Sequence, residues 1–427
     1  MATADSVSVF AEGTFEEQIQ ELVDYATRSS PEDERATALQ SFRDIVKSGE
    51  GAKPIEEDQE RRRRALIFAL DQTKGLGDGS EQEIEGYFNL LFSHLLTLWA
   101  SNSPETNHHV SSLLYILTSS HSDQPSVKYR VISNLFNATP RNSALRLPIY
   151  KALLQVATEN GELESLRLTR KDIEQWLQEW DISSEERSQF LKSIVEAFIK
   201  SGQPETAYHH TLAYVSSLPS SSPDGQSAAI DAIALALRLP SLFDLDPLFK
   251  LDAVVAAKDH ELFSLLQIFL NSGLPEFHSW LESHPAVLEK YELDQAQLER
   301  KIRLLSFASL GFAHVGHDLP YSEVASTLQI ELSQVEKWAI DVIRTGLLSG
   351  KLSQTTQSLH VYRSSARTFE REQWEALEKR LVAWKAGLAS VLEVVTSAQK
   401  RGNGSAVSEV VQQVTQTGTE SVQVDAA

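Results

Sequence analysis

From residue 15 to about 311 the apolar residues recur at steps of three and four. Phe15, Ile19, Leu22, Val23 and Ala26 fall on one face of a helix predicted over 15–28. Thr14 stands just before it, with Glu17 three residues on, the pattern of a capping box. The same spacing predicts helices at about 34–47, 60–71, 83–100, 108–119, 125–137, 143–160, 170–180, 184–201, 204–217, 226–238, 247–256, 258–271, 274–283 and 294–311. Gly, Pro, Asn and Ser cluster in the short breaks between them, among them 49–54, 75–80 and 219–225. So many short helices with short turns do not make one four-helix bundle. They predict helical hairpins stacked in a row, an α-solenoid over 15–296. No armadillo or ankyrin consensus and no complete tetratricopeptide pattern is present, so the repeats are degenerate.

The pattern changes after Gly311. A short helix is predicted over 321–328 and a second over 332–344, with Val335, Trp338, Ala339, Val342 and Ile343 on one face. A Gly-bounded strand follows near 346–352, then a polar turn at 354–357 and a strand at 359–363. With 297–312 as its first helix, this is a winged helix over 297–369 carrying a small antiparallel sheet. Its last strand, through Leu359, Val361 and Arg363, is expected to offer a free edge to a neighbouring chain.

A single long helix is predicted over 370–399. Trp374, Leu377, Leu381, Trp384, Leu388, Val391 and Val395 alternate at steps of three and four, a heptad seam. Glu378, Lys379 and Lys385 lie on its other face. Such a seam needs a partner, and two Trp residues suit a multi-helix bundle better than a tight dimer. Residues 1–14 and 400–427 are expected to be disordered, the latter being rich in Gly, Ser, Thr, Gln and Val with no aromatic residue. The expected fold is therefore mainly α: a solenoid, a winged helix, then a long C-terminal helix.

Composition narrows the function. Among 427 residues, 39 Lys and Arg stand against 59 Asp and Glu, a net charge of −20 that disfavours a free-standing nucleic-acid binder. The absence of Cys excludes disulfides, thiolate metal sites and Cys nucleophiles. The first 13 residues lack the basic and apolar regions of a signal peptide. The longest apolar stretch, 87–100, contains Asn89 and His94 and is shorter than the roughly 20 residues a membrane span needs. A cytoplasmic location without membrane contact is expected.

Candidate chemistry is sparse. His314, His317 and Asp318 could offer a metal two imidazoles and a carboxylate, but the intervening Gly316 and the end of a helix favour an incidental loop. The adjacent pairs His108–His109 and His209–His210 point about 100° apart on a helix and do not chelate one ion. Gly346 to Leu352 is one residue short of a Walker loop and lacks its Ser or Thr, and the Gly75–Gly79 loop follows no strand. Arg61, Arg62, Arg63 and Arg64 form the one dense basic run, read as a solvated first turn balanced by Glu56, Glu57, Asp58 and Glu60. No Gly-x-Ser-x-Gly elbow and no His-Glu-x-x-His is present. The winged helix's second helix carries Glu331, Glu336 and Asp341 against Lys337 and Arg344, so it repels phosphates instead of reading a groove. No catalytic residue, cofactor or metal site is expected.

Several segments carry a resemblance. Lys301-Ile-Arg-Leu-Leu-Ser-Phe307, Val335-Glu-Lys-Trp-Ala-Ile-Asp-Val-Ile-Arg-Thr-Gly-Leu347, Lys351-Leu-Ser-Gln354, Val361-Tyr-Arg363, Arg367-Thr-Phe369, Gln373-Trp374 and Ala383-Trp384-Lys385 resemble the PCI domain. This domain is carried by subunits of the proteasome lid, the COP9 signalosome and translation initiation factor 3. Arg130-Val-Ile-Ser-Asn-Leu-Phe-Asn137, Ile149-Tyr-Lys-Ala-Leu-Leu-Gln-Val156 and Trp176-Leu-Gln-Glu-Trp180 make the chain most similar to the subunit M family of initiation factor 3, over about 15–395. The resemblance implies a non-catalytic scaffold whose winged helix lines up with those of sister PCI subunits and whose last helix joins a bundle. It also implies MPN-subunit partners and, through the complex, the small ribosomal subunit and assembly of the 43S and 48S preinitiation complexes. Any RNA contact is expected to be non-specific, and no DNA contact is expected. The alternative is a PCI scaffold subunit of the COP9 signalosome, whose subunit 7 is a close relative, or of a proteasome-lid-like complex. The His-x-His of the metalloprotease partners of PCI proteins does not occur.

Overall fold

A computed structural model describes residues 13–47, 54–120, 125–368 and 371–401. The disorder expected of 1–14 and 400–427 thus falls outside the described residues, apart from the two positions at each inner border. Two compact units are present: one of Met1–Leu242, Pro247–Leu266 and Ala286–Asp294, the other of Phe243–Asp246, Gln267–Pro285 and Gln295–Ala427.

The first unit is an array of helices, most of them packed on a helix next or next but one along the chain. Local chemistry sets the helix starts. Thr14, Ser80 and Ser183 each accept the backbone N–H three residues on, while Glu17, Glu83 and Glu186 reach back to the cap, so orphan donors are satisfied in pairs. Pro104, Pro204 and Pro223 open their helices, where a missing N–H costs nothing. The face predicted for the first helix is the buried one: Phe15, Ile19, Leu22 and Val23 all lie in the core.

The segments 130–137, 149–156 and 176–180 meet in one aromatic cluster. Phe136 lies 5.6 Å from Tyr150, and Tyr150 lies 4.7 Å from Trp176. Trp176 stacks on Trp180 at 5.9 Å, and Trp180 is fully buried. Edge-to-face and offset contacts of this kind favour large rings in a core. The Gly75–Gly79 loop has a structural role as well. Tyr25 Oη donates to the Leu76 carbonyl at 3.0 Å, and Gly77, at φ +81°, lies so close that a Cβ would meet the tyrosine ring at 2.8 Å.

Two departures from the sequence pattern stand out. The helix predicted over 247–256 is two short ones, Asp246–Phe249 and Asp252–Ala256. Leu251 between them is extended, and its carbonyl starts the second helix by accepting from Val254 and Val255. A 3-10 turn at Leu163–Leu166 and a short helix at Val287–Lys290 carry too few residues to show a period.

Helices α1 (Ser184–Lys200), α2 (Pro204–Ser217) and α3 (Pro223–Arg238) end the main array of the first unit. The second unit contains the end of α4 (Glu261–Asn271), then α5 (Leu274–Ser283) and α6 (Gln295–Ala313). There follow β1 (Asp318–Pro320), α7 (Tyr321–Leu328), α8 (Val335–Arg344), β2 (Leu348–Ser353), β3 (Ser358–Ser364) and α9 (Arg371–Arg401). Leu304, Phe307, Val324, Leu328, Val335, Val342, Leu348, Leu359 and Val361 form one buried core beneath the sheet. Gly311 lets α6 lie against β2, since a Cβ there would sit 2.4 Å from Leu348 Cδ1.

The sheet is antiparallel in the order β1-β3-β2, with Leu319 opposite Leu359 and Leu352 also opposite Leu359. This corrects the expectation for Leu359, Val361 and Arg363. Their strand is the middle one, not a free edge. The Val361 N–H donates to the His317 carbonyl at 3.2 Å, and its own carbonyl accepts from Gly316 at 2.8 Å. The Leu359 and Val361 side chains are wholly buried, while Arg363 is exposed and its Nη2 lies 3.4 Å from the Gly346 carbonyl. The border strands are β1 and β2.

Candidate assembly surfaces

The terminal helix is where apolar surface is left uncovered. Every seam residue, Trp374, Leu377, Leu381, Trp384, Leu388, Val391 and Val395, is exposed, from 37 % at Leu377 to 66 % at Trp384. Val382, Leu392 and Val394 are exposed beside them. Those three lie off the strict heptad, yet all are apolar and flank the seam. They widen the stripe beyond the narrow line of a two-stranded coiled coil.

Two arginines fix the base of this helix within its unit. Arg367 donates from Nη1 to the carbonyls of Phe269 and Ser272, at 3.3 and 2.5 Å. Its Nε donates to the Leu305 carbonyl at 3.1 Å, and Nη2 to Ser306 Oγ at 3.0 Å. The Phe269 and Ser272 carbonyls lie at the C-terminal end of α4, where a cation also complements the helix dipole. Burial lowers the Arg367 pKa to about 10, which leaves it charged at neutral pH. Higher up, Arg380 Nη2 donates to the Phe312 carbonyl at 2.6 Å, with its guanidinium 4.6 Å from the centre of the Phe312 ring. These contacts reach the ends of α4 and α6 and leave the seam uncovered.

The second helix of the wing is not built for a groove. Asp341 is paired with Arg300 at 3.3 Å, and Glu336 accepts from Gln354 Nε2 at 2.9 Å. Ile340 and Leu332 are exposed where a reading helix would present donors. The basic run is divided among internal partners. Arg61 pairs with Asp58 at 3.2 Å, Arg64 with Glu60 at 3.6 Å, and Arg62 lies 4.5 Å over the Phe15 ring. Arg63 donates to the Leu98 carbonyl at 2.9 Å and lies 5.6 Å over the Trp99 ring.

The histidines do not converge. His314 Nδ1 lies 3.1 Å from the Leu310 carbonyl and Nε2 lies 3.6 Å from Glu323, while Asp318 is engaged by His360 at 2.7 Å. Among the described residues no group of three or more His, Asp or Glu is placed to hold a metal ion. No helix among them is long and apolar enough to cross a membrane.

A winged helix built on the last helices of a helical array, with a long helix leaving it, defines a PCI-domain subunit, and the PCI domain model matches residues 281–363. Residues 367–395, which begin at the half-buried Arg367, match the model described as the C-terminal helix of eIF3 subunit M. Over 410 residues the chain is 31 % identical to eukaryotic translation initiation factor 3 subunit M of Phaeosphaeria nodorum, covering 92 % of this chain and 89 % of that one. It is 29 % identical over 417 residues to the subunit M of Coccidioides immitis, with 93 % and 90 % covered. With that of Aspergillus oryzae it shares 30 % over 416 residues, with 93 % and 88 % covered. The chain belongs to the subunit M family of eukaryotic translation initiation factor 3.

Proposed function

We propose that this chain is a cytoplasmic, non-catalytic scaffold subunit of initiation factor 3. The observation that carries the reading is the uncovered seam of α9 on a helix anchored at its base by Arg367 and Arg380. Trp374, Leu377, Leu381, Trp384, Leu388, Val391 and Val395 enter a bundle with helices of sister PCI and MPN subunits. The assembled factor then engages the small ribosomal subunit and supports 43S and 48S preinitiation complexes. With β3 in the middle of the sheet, lateral contact between winged helices falls to a border strand, β1 or β2. Contact of this chain with RNA is limited to phosphates and is weak, because the wing helix is acidic and the basic run has internal partners.

The test is recovery of a tagged chain at moderate salt, followed by mass spectrometry. Sister initiation-factor subunits and ribosomal 40S proteins are expected. Cullins in their place would assign the chain to a signalosome.

A further inference from the structure

A second candidate surface lies in the first unit, on helices α1 to α3. Helices α1 and α3 form the two walls of an open groove of about 830 Å³, with Thr211 and Tyr214 of α2 at its base. The lining runs along α1 from Ser184 to Ile199, roughly 22 Å or four turns. That is the length over which a helix presents anchors at three- and four-residue steps.

The groove is apolar at one end and acidic along its lips. Ile199 is 49 % exposed, on a helix that otherwise buries its aliphatic residues. Leu235 and Tyr214, both half-buried, also line the groove. Glu185, Glu196, Asp224 and Asp231 line the walls against two cations, Lys192 and Arg238. Those cations are already engaged: Lys192 lies 3.9 Å from Glu196, and Arg238 donates to the Tyr291 carbonyl at 2.9 Å and faces Glu292 at 3.8 Å. Negative charge therefore remains at Glu185, Asp224 and Asp231. Burial raises the Tyr214 pKa; Lys192 opposes this, while Asp224, Glu196 and Asp231 add to it.

We propose that this groove seats an amphipathic, net-basic helix of a partner chain, with aliphatic side chains against Ile199, Tyr214 and Leu235 and Lys or Arg against Asp224 and Asp231. The acidic lips repel nucleic-acid phosphates. The groove offers no open strand edge to an extended peptide, because its walls are helices whose backbone groups are paired internally. Charge complementarity across the rim sets which helix is accepted and how fast it arrives. The groove belongs to the first unit and α9 to the second, so the subunit would hold partners at two places.

The test is site-specific photo-crosslinking in the assembled complex, with Ile199→benzoylphenylalanine in the full chain. The complex is recovered through a tag before illumination, so a missing adduct counts against the groove and not against membership of the assembly. The expected adduct is a partner segment with a helical apolar period and a net positive charge. Asp224→Lys with Asp231→Lys should lower its yield about tenfold, and Asp224→Asn with Asp231→Asn should lower it less. Both positions are exposed, so each variant should stay folded, with only a small drop in melting temperature from the charge change at Asp224 in the first turn of α3. An adduct to RNA, to a second copy of this chain or to an acidic segment would overturn the proposal. So would a yield indifferent to charge reversal, or no adduct in a complex that still co-purifies.

Discussion

Arg367 donates to the carbonyl of Ser272, 95 residues earlier in the chain, at 2.5 Å. Through the same guanidinium it holds Phe269, Leu305 and Ser306, so one side chain joins the end of α4 to the middle of α6 just before α9 begins. Arg367→Met should leave buried carbonyls without a donor and lower stability by about 2–4 kcal/mol. Arg367→Lys should recover only part of this, because an ammonium lacks the planar fork that serves several acceptors. Denaturant titration of the three proteins gives the comparison. Equal midpoints for all three would remove the anchoring role.

The seam of α9 separates stability from association. Leu381→Asp with Leu388→Asp places two carboxylates where a bundle would desolvate them, at several kcal/mol each. Both positions are exposed in the isolated chain, so its melting temperature should hardly change. Recovery of sister subunits should fall at least about tenfold. A lowered melting temperature with intact recovery would mean that the seam packs within its own chain.

Val361→Pro tests the middle position of β3. The substitution removes the N–H donated to His317 and forces a ring into the buried core of the wing. It should destabilise the second unit by roughly 3 kcal/mol or more. A free edge at this strand would instead lose assembly with no change in melting. Circular dichroism beside a pull-down tells the two apart.

His94 gives the first unit an acid limit. Burial, and then the Arg62 cation, push its pKa down to about 4. Its ring packs edge-on to Phe15 at 5.2 Å. Between the ordinary value of about 6.5 and about 4 the unfolded chain takes up a proton that the folded chain refuses. Stability is therefore whole above 6.5 and falls as the pH drops through that window, by about 2–3 kcal/mol after allowance for partial exposure. His94→Gln should flatten the fall, measured as denaturation midpoint against pH.

Lys301 on α6 imposes a slope of the same sign at higher pH. Burial lowers its pKa from 10.5 to about 7. Below 7 both states are protonated, and the full cost of burying the charge is present. Between about 7 and 10.5 the folded chain gives up the proton while the unfolded chain keeps it, so stability rises with pH. Lys301→Met should level the melting temperature across that range. A slope unchanged in the variant would place the titrating group elsewhere.

Much of the helical array is legible in the sequence because a buried face repeats at the helical period whatever it packs against. Phe15, Ile19, Leu22 and Val23 show this, as do the caps at Thr14 and Ser183. The break at Leu251 is not legible, since Leu248, Leu251 and Val254 keep the period straight through it. Strand β1 is not legible either: three residues, one of them Pro320, show no alternation. The place of β3 in the sheet escapes for a different reason. Leu359 and Val361 alternate into the core in the same way on a border strand and on a middle one, and only the long-range pairing with His317 and Leu319 decides between them. The α9 seam is legible residue by residue, but Arg367 as its anchor is not, because its acceptors are backbone carbonyls that leave no mark on the sequence.

The bare stripe on α9 also has a consequence for cellular supply. A contiguous row of exposed Trp, Leu and Val is a surface that aggregation and quality control both act on. Copies made in excess of their partners would carry that row uncovered and be drawn into self-association or degradation. If the stripe is covered in the proposed bundle, the abundance of this chain would follow that of its sister subunits through a feature of its own surface.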